Sequence, residues 1–125
     1  MMKYKLIQRG KPGDETAPKK WYASPVKSGR STEKNIAKEI SSRSSLTAGD
    51  VMNVIQNFLD LLPNHLTDGK SVKLGDFGSF RISFSSEGVE TEKEFTTDKI
   101  KGLKIIFTPS SDFKSELTKI SFEKQ

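Results

Sequence analysis

The residues best suited to chemistry in this sequence are its cations. Residues 1–34 hold Lys3, Lys5, Arg9, Lys11, Lys19, Lys20, Lys27, Arg30 and Lys34 against only Asp14, Glu15 and Glu33, a net charge of +6. Positive charge concentrated in this way attracts polyanions such as nucleic acid or an anionic membrane. Trp21 and Tyr22 directly follow Lys19 and Lys20, so aromatic rings adjoin cations. That combination can stack on bases while holding a phosphate backbone, although aromatics so placed also pin an extension onto a fold. Residues 85–102 invert the charge, with Glu87, Glu90, Glu92, Glu94 and Asp98 against Lys93, Lys99 and Lys101, for a net −2.

Catalytic chemistry finds little support. Asp76-Phe77-Gly78 spells the magnesium-binding triplet of protein kinases, but 125 residues are too few for a kinase and neither its phosphate loop nor its catalytic loop is present. The triplet reads as a turn. His65 is the only histidine and has no triad or metal partner in sequence, so it is expected on the exposed side near a helix end. Asp98 and Glu94 lack the context of a pocket and are expected to be solvated. The chain has no cysteine, which removes disulfides, thiolate metal sites and cysteine nucleophiles together. The expectation is a non-enzyme with no cofactor, no metal and no small-molecule substrate.

The whole chain carries a net charge of +5, with 33% hydrophobic and 30% charged residues. That is more polar than an average domain, so part of the apolar surface is expected to be buried by dimerisation. Met1–Gly10 is too polar for a secretory signal, and no apolar run approaches the roughly 18 residues of a membrane span. A cytoplasmic protein with no membrane partner is expected.

These side chains need elements to position them. Tyr4–Gln8 and Trp21–Ala23 read as strands around the turn-rich Gly10-Lys11-Pro12-Gly13-Asp14, a hairpin-like extension that Pro25 and Gly29 should interrupt. Ser31 or Thr32 can cap a helix ending near Arg43, with Ile36, Ala37 and Ile40 on one face. Thr47 can cap a second helix, with Asp50 favourable to its dipole. Its stripe is Val51, Val54, Ile55, Phe58, Leu59 and Leu62. Pro63 should kink this helix or end it near Leu62, although Leu66 continues the face as far as the stop at Asp68-Gly69. From Ser71 the period becomes two, with Val72, Leu74, Phe80, Ile82 and Phe84 apolar and Lys73, Arg81 and Ser83 polar between them. Gly75-Asp76-Phe77-Gly78 turns the chain between these strands. Residues 85–100 are expected as an exposed hairpin or loop, Leu103–Phe107 as a strand, and Asp112–Ile120 as a short helix presenting Phe113, Leu117 and Ile120.

The order helix, helix, β-turn-β, arm, strand, helix resembles the HU and integration-host-factor family of bacterial DNA-architectural proteins. So do the residues: Asp68-Gly69-Lys70-Ser71-Val72-Lys73-Leu74-Gly75-Asp76-Phe77-Gly78-Ser79-Phe80 is similar to the family's glycine, β-pair and Gly-Phe-Gly-Thr-Phe pattern. Phe107-Thr108-Pro109 resembles its Phe-x-Pro segment. The similarity covers roughly residues 31–120. The Trp21-containing extension and the tail Leu117–Phe122 look like a divergent, Bacteroides-type branch. The resemblance implies an α+β, HU-like fold: two N-terminal helices packed under a small antiparallel sheet, with a β-arm and a short C-terminal helix, in an intertwined dimer. It divides the chain into an N-terminal β extension, residues 1–30, and an HU-like DNA-binding domain, residues 31–125. In the family, two long arms reach into the minor groove and bend DNA with an inserted proline. Here the arm has no proline, and its net negative charge opposes counterion release.

The function expected is therefore a homodimeric, nucleoid-associated protein that binds duplex DNA through phosphates with little sequence preference. The residues expected to contact DNA are Lys19, Lys20, Lys27, Arg30, Lys34, Lys73, Arg81, Lys93, Lys99 and Lys101. One rival is a dimeric HU-like scaffold that has lost DNA bending and binds a protein partner through its extension or acidic arm. Another is a single-strand binder that stacks bases on Trp21 and Tyr22.

Overall fold

The computed structural model describes all 125 residues, and the chain forms two compact units. One comprises Met1–Ser31 with Glu116–Gln125, the other Thr32–Ser115. The division at residue 30 expected from sequence places residues 116–125 with the second part, whereas in the structure they group with the first.

In the first unit, β1 (Met2–Arg9) and β2 (Lys20–Val26) pair antiparallel, in a register running from Lys3 opposite Val26 to Arg9 opposite Lys20. Between them Asp14 closes a turn. Its amide donates to Lys11 O at 3.1 Å, and its carboxylate accepts from the Thr16 amide at 3.0 Å and the Thr16 hydroxyl at 2.7 Å. Pro25, expected to break the chain, instead lies within β2 opposite Tyr4. The sheet pairs β2 only with β1 and so leaves β2 at an edge, where a missing N–H need not remove a ladder bond. The third strand, β6 (Phe122–Lys124), runs parallel to the start of β1.

The second unit begins with α1 (Glu33–Ser42) and α2 (Ala48–Thr67). Thr32 caps α1 in a capping box: its hydroxyl accepts from the Asn35 amide, and Asn35 Oδ1 accepts from the Thr32 amide at 3.1 Å. Thr47 Oγ1 accepts from the Asp50 amide at 3.1 Å and starts α2. The helix does not end near Leu62 but continues through Pro63 to Thr67. Its last turn is held by the buried Leu66 and by a Schellman closure, in which Lys70 N–H donates to His65 O and Gly69 N–H to Leu66 O, with Gly69 at φ 86°.

The sheet of this unit has the order β3-β4-β5, with β3 at Val72–Leu74, β4 at Gly78–Ser86 and β5 at Ile100–Pro109. Cross-strand register places Val72, Phe80 and Phe107 in one row and Ile82 opposite Ile105 in another. At the Phe end of this face, Phe77, Phe80, Phe107 and Phe113 form a cluster with neighbouring ring centroids 4.9–6.2 Å apart. Phe113 comes from α3 (Ser111–Leu117). Ser110 caps that helix by accepting from the Phe113 amide at 3.1 Å, donates its hydroxyl to Asp76 O, and donates its amide to Phe77 O at 3.1 Å. The Asp76-Phe77-Gly78 triplet thus ends the turn between β3 and β4, with Gly78 opening β4, and is tied to the C-terminal helix. The helix expected as far as Ile120 stops at Leu117.

The β-arm implied by the family resemblance is reduced to the ends of β4 and β5. Residues 87–99 form a loop with single 3₁₀ turns at Glu92–Glu94 and Thr97–Lys99. This segment holds five carboxylates, and its two large apolar residues, Val89 and Phe95, have no cross-strand partner that would extend a ladder. Thr96 instead donates its hydroxyl to Asp98 within the second turn.

Two outcomes follow from these contacts. A Cβ added at Gly78 would lie 2.5 Å from Thr108 O and 2.6 Å from the Phe107 ring, whereas one at Gly88 would meet nothing within 4 Å. Gly78→Ala should therefore lower unfolding free energy in urea by about 1–3 kcal/mol, while Gly88→Ala should change it by less than about 0.5 kcal/mol. The Thr16 hydrogen bonds hold the Asp14 carboxyl below its ordinary value. Its contribution to the turn is therefore present above the unfolded-state value and lost as pH falls through the lower folded one. The Thr16 amide resonance, followed by NMR, should move in that acidic window and should not do so in Asp14→Asn.

Candidate nucleic-acid interface

Strand alternation places successive side chains on opposite faces, and directly paired residues share a face. The sheet of the second unit therefore sorts its residues sharply. Val72, Leu74, Phe80, Ile82, Phe84, Leu103, Ile105 and Phe107 fall on one face, while Lys73, Ser79, Arg81, Ser83, Lys104 and Thr108 fall on the other, together with the half-buried Ile106 directly opposite Arg81. The register shift between Ser83 and Ser85 coincides with Gly102 at φ 67°, and beyond it Lys101 pairs with Ser85, on the polar face again. The three strands contain no carboxylate, and all four of their cations lie on this one face.

Arg81 is the centre of that array. Lys73 and Lys104 are its diagonal neighbours on the two flanking strands, with Cβ separations of about 7 Å in this geometry. Lys73, Arg81 and Lys104 are all exposed, and none forms an ion pair. Three like charges without an ion-pair partner repel one another slightly, a cost that an anion lying across them would remove. Lys101 is engaged by Glu87 at 3.2 Å. That pair is solvent-exposed, so it restrains Lys101 only weakly.

The ten cations expected from sequence to contact DNA are thus not one cluster. Lys73, Arg81 and Lys101 share the sheet face. Lys93 and Lys99 lie in the two 3₁₀ turns of the acidic loop, Lys99 half-buried. Lys34 is exposed in the first turn of α1. Lys19, Lys20, Lys27 and Arg30 belong to the first unit, Lys20 opening β2 and Lys27 directly following it, all exposed. Lys104, not among the ten, shares the face of Lys73 and Arg81. The polar position in Leu103-Lys104-Ile105 carries the same period of two as Lys73 and Arg81.

The other face of this sheet is only partly covered. Phe84 is 56% exposed, Leu103 70% and Ile105 66%, and on α2 Val54 is 64% exposed, with Phe58, Leu59 and Leu61 also open to solvent. The unit's fully buried apolar side chains are Ala37, Val51 and Leu66. His65 is exposed in the last turn of α2, and no group of three or more His, Cys, Asp or Glu is placed to hold a metal. No helix is long and apolar enough to cross a membrane.

A capped helix pair with a three-stranded antiparallel sheet and a short helix behind an aromatic cluster defines an HU-type α+β domain. The profile of a family described as an HU domain fused to a winged helix-turn-helix, immunoglobulin or glycine-rich motif matches residues 1–124, and the chain belongs to that family. Among solved structures, the chain is similar to one from Bacteroides vulgatus that is provisionally described as a bacterial DNA-binding protein. The TM-score is 0.64 at 10% identity, with 98% of this chain covered. This chain spans 47% of the length of that protein. No curated protein matches the sequence.

Proposed function

We propose that this protein is a non-catalytic, homodimeric DNA-binding protein of the nucleoid-associated kind, holding duplex DNA through its phosphates with little sequence preference. The observation that carries this reading is the sorting of Lys73, Arg81, Lys101 and Lys104 onto one carboxylate-free sheet face interspersed with Ser79, Ser83, Ser85 and Thr108. Cations and hydroxyls are the groups that contact phosphate oxygens, and such contacts set position without reading bases. Membership of an HU-type family and the description of the similar Bacteroides vulgatus protein point the same way. Lys19, Lys20, Lys27, Arg30, Lys34, Lys93 and Lys99 supply further positive charge. The acidic loop between β4 and β5 replaces the basic, proline-tipped arm that would kink the duplex.

Dimerisation is the other half of the proposal. Burying a side chain such as Ile105 or Phe58 is worth roughly 1.5–3 kcal/mol, and α2 and the hairpin leave several such residues exposed in the single chain. A second copy presenting the same surface covers them by two-fold symmetry.

Neutralising the central array as Lys73→Gln, Arg81→Gln and Lys104→Gln should weaken duplex binding by at least about tenfold and reduce the slope of log K against log salt by roughly 2–3. Mobility-shift titrations of several duplex sequences check this, and a protein that binds no duplex at low salt would sink the reading. Ile105→Asp should shift sedimentation from dimer toward monomer; an unchanged dimer would place the interface elsewhere. Loss of a partner protein from the acidic loop variant Glu87→Gln, Glu90→Gln, Glu92→Gln, with DNA affinity unchanged by the cation substitutions, would favour the scaffold reading instead.

A further inference from the structure

The sheet of the first unit is sorted in the same way. From the β1–β2 and β1–β6 registers, Lys3, Lys5, Ile7 and Arg9 share a face with Lys20, Tyr22, Ser24, Val26 and Glu123. Met2, Tyr4, Leu6, Gln8, Trp21, Ala23, Pro25 and Phe122 fall on the opposite, largely apolar face, together with Lys124. Trp21 and Tyr22 therefore point away from each other, and the two rings cannot stack together on one strand of bases. Tyr22 alone stands among the cations.

We propose that Lys3, Lys5, Arg9 and Lys20, with Tyr22 beside them, form a second nucleic-acid backbone site, separate from the Lys73–Arg81–Lys104 array. All five residues are exposed, and none of the four cations takes part in an ion pair. Glu123 is the single carboxylate on the face, so its net charge is +3. Lys3 to Arg9 along β1 spans about 20 Å at the rise of an antiparallel strand, a length over which one strand of B-form duplex presents about six phosphates. Arg9 and Lys20 are directly opposed across the β1–β2 ladder. Like charges so paired destabilise a sheet unless a polyanion lies over them. The half-buried Ile7 and the Tyr22 ring separate the two ends of the basic row and give the sugar edges an apolar bed. An anionic lipid surface would also be drawn to four cations, but this face carries its apolar groups between the cations, and the exposed Trp21, Met2 and Phe122 that would insert into a bilayer lie on the other side.

This inference rests on the DNA-binding reading, and the experiment separates the two. The salt dependence of duplex binding is measured for the full chain, for Lys3→Gln/Lys5→Gln/Arg9→Gln/Lys20→Gln, for the charge-preserving Lys3→Arg/Lys5→Arg/Lys20→Arg, and for the Lys73/Arg81/Lys104 glutamine variant, with far-UV circular dichroism as a control on folding. The quadruple variant should lose roughly 3–4 from the slope and at least about tenfold in affinity, while the arginine variant keeps both. A quadruple variant that is folded and binds with unchanged slope, while the Lys73/Arg81/Lys104 variant fails, overturns this site alone. An arginine variant as weak as the quadruple one overturns it too, since charge would not be what matters. Loss of binding to phosphatidylserine vesicles with duplex binding intact overturns it in favour of a membrane. A full chain that binds no duplex removes the site and the DNA-binding reading together.

Discussion

Gly78 lets two strands and an aromatic ring come closer than any side chain would allow. Its missing Cβ is the space taken by the Phe107 ring and the Thr108 carbonyl, and Gly78 itself pairs with Leu74 on one side and Pro109 on the other. Around this point Phe77, Phe80, Phe107 and Phe113 pack ring to ring, and Ser110 ties the β3–β4 turn to α3. The register of the whole sheet is therefore pinned at one end. Because side chains alternate with a period of two, a slip of one residue would carry Lys73, Arg81 and Lys104 into the apolar face and the phenylalanines into water. The placement of the cations therefore depends on ring packing at the opposite face of the sheet.

Both sheets of the chain obey the same rule. Each has three strands, and each gathers most of its Lys and Arg on one face and most of its large apolar residues on the other. A three-stranded sheet has one face to bury, and its other face is free to carry charge. In the second unit the buried side is incomplete within a single chain, since only Ala37, Val51 and Leu66 are fully enclosed while α2 and the β4–β5 hairpin leave apolar side chains open. The exposed apolar side and the cationic face then have a common origin in strand alternation.

Local signals were read correctly from sequence where the physics is local. Thr32 and Thr47 cap their helices through side-chain oxygens three residues from the amide they receive, and the β3–β4 turn sits on its glycines. The failures are those of long-range context. Pro25 is tolerated because β2 is an edge, and Pro63 because Leu66 and the Schellman closure hold the turn beyond it. Neither condition is visible in a window of residues. Strand β6 is three residues long and exists through its pairing with β1, 120 residues earlier, so no periodicity could announce it. The candidate site was legible at Lys73 and Arg81 but not as an array, because Lys104 joins them only through the β4–β5 register. In the N-terminal region the excess charge was plain, yet its division between two faces depends on which residues of β1 and β2 face each other.

The acidic loop narrows how a DNA-binding reading can operate. Kinking a base step costs a few kcal/mol, which inserted side chains and added phosphate contacts must offset. Residues 87–98 bring Glu87, Glu90, Glu92, Glu94 and Asp98, and Glu87 already engages Lys101, the cation nearest the loop on the sheet face. Each carboxylate brought near a phosphate opposes the counterion release on which affinity depends. In that reading attraction comes from the sheet cations that form no ion pair, among them Lys73, Arg81 and Lys104. A rigid strand face meets the backbone along a line of phosphates and gains nothing from bending it. Under the DNA-binding function proposed above, a loop of this charge favours lying against a duplex over kinking it.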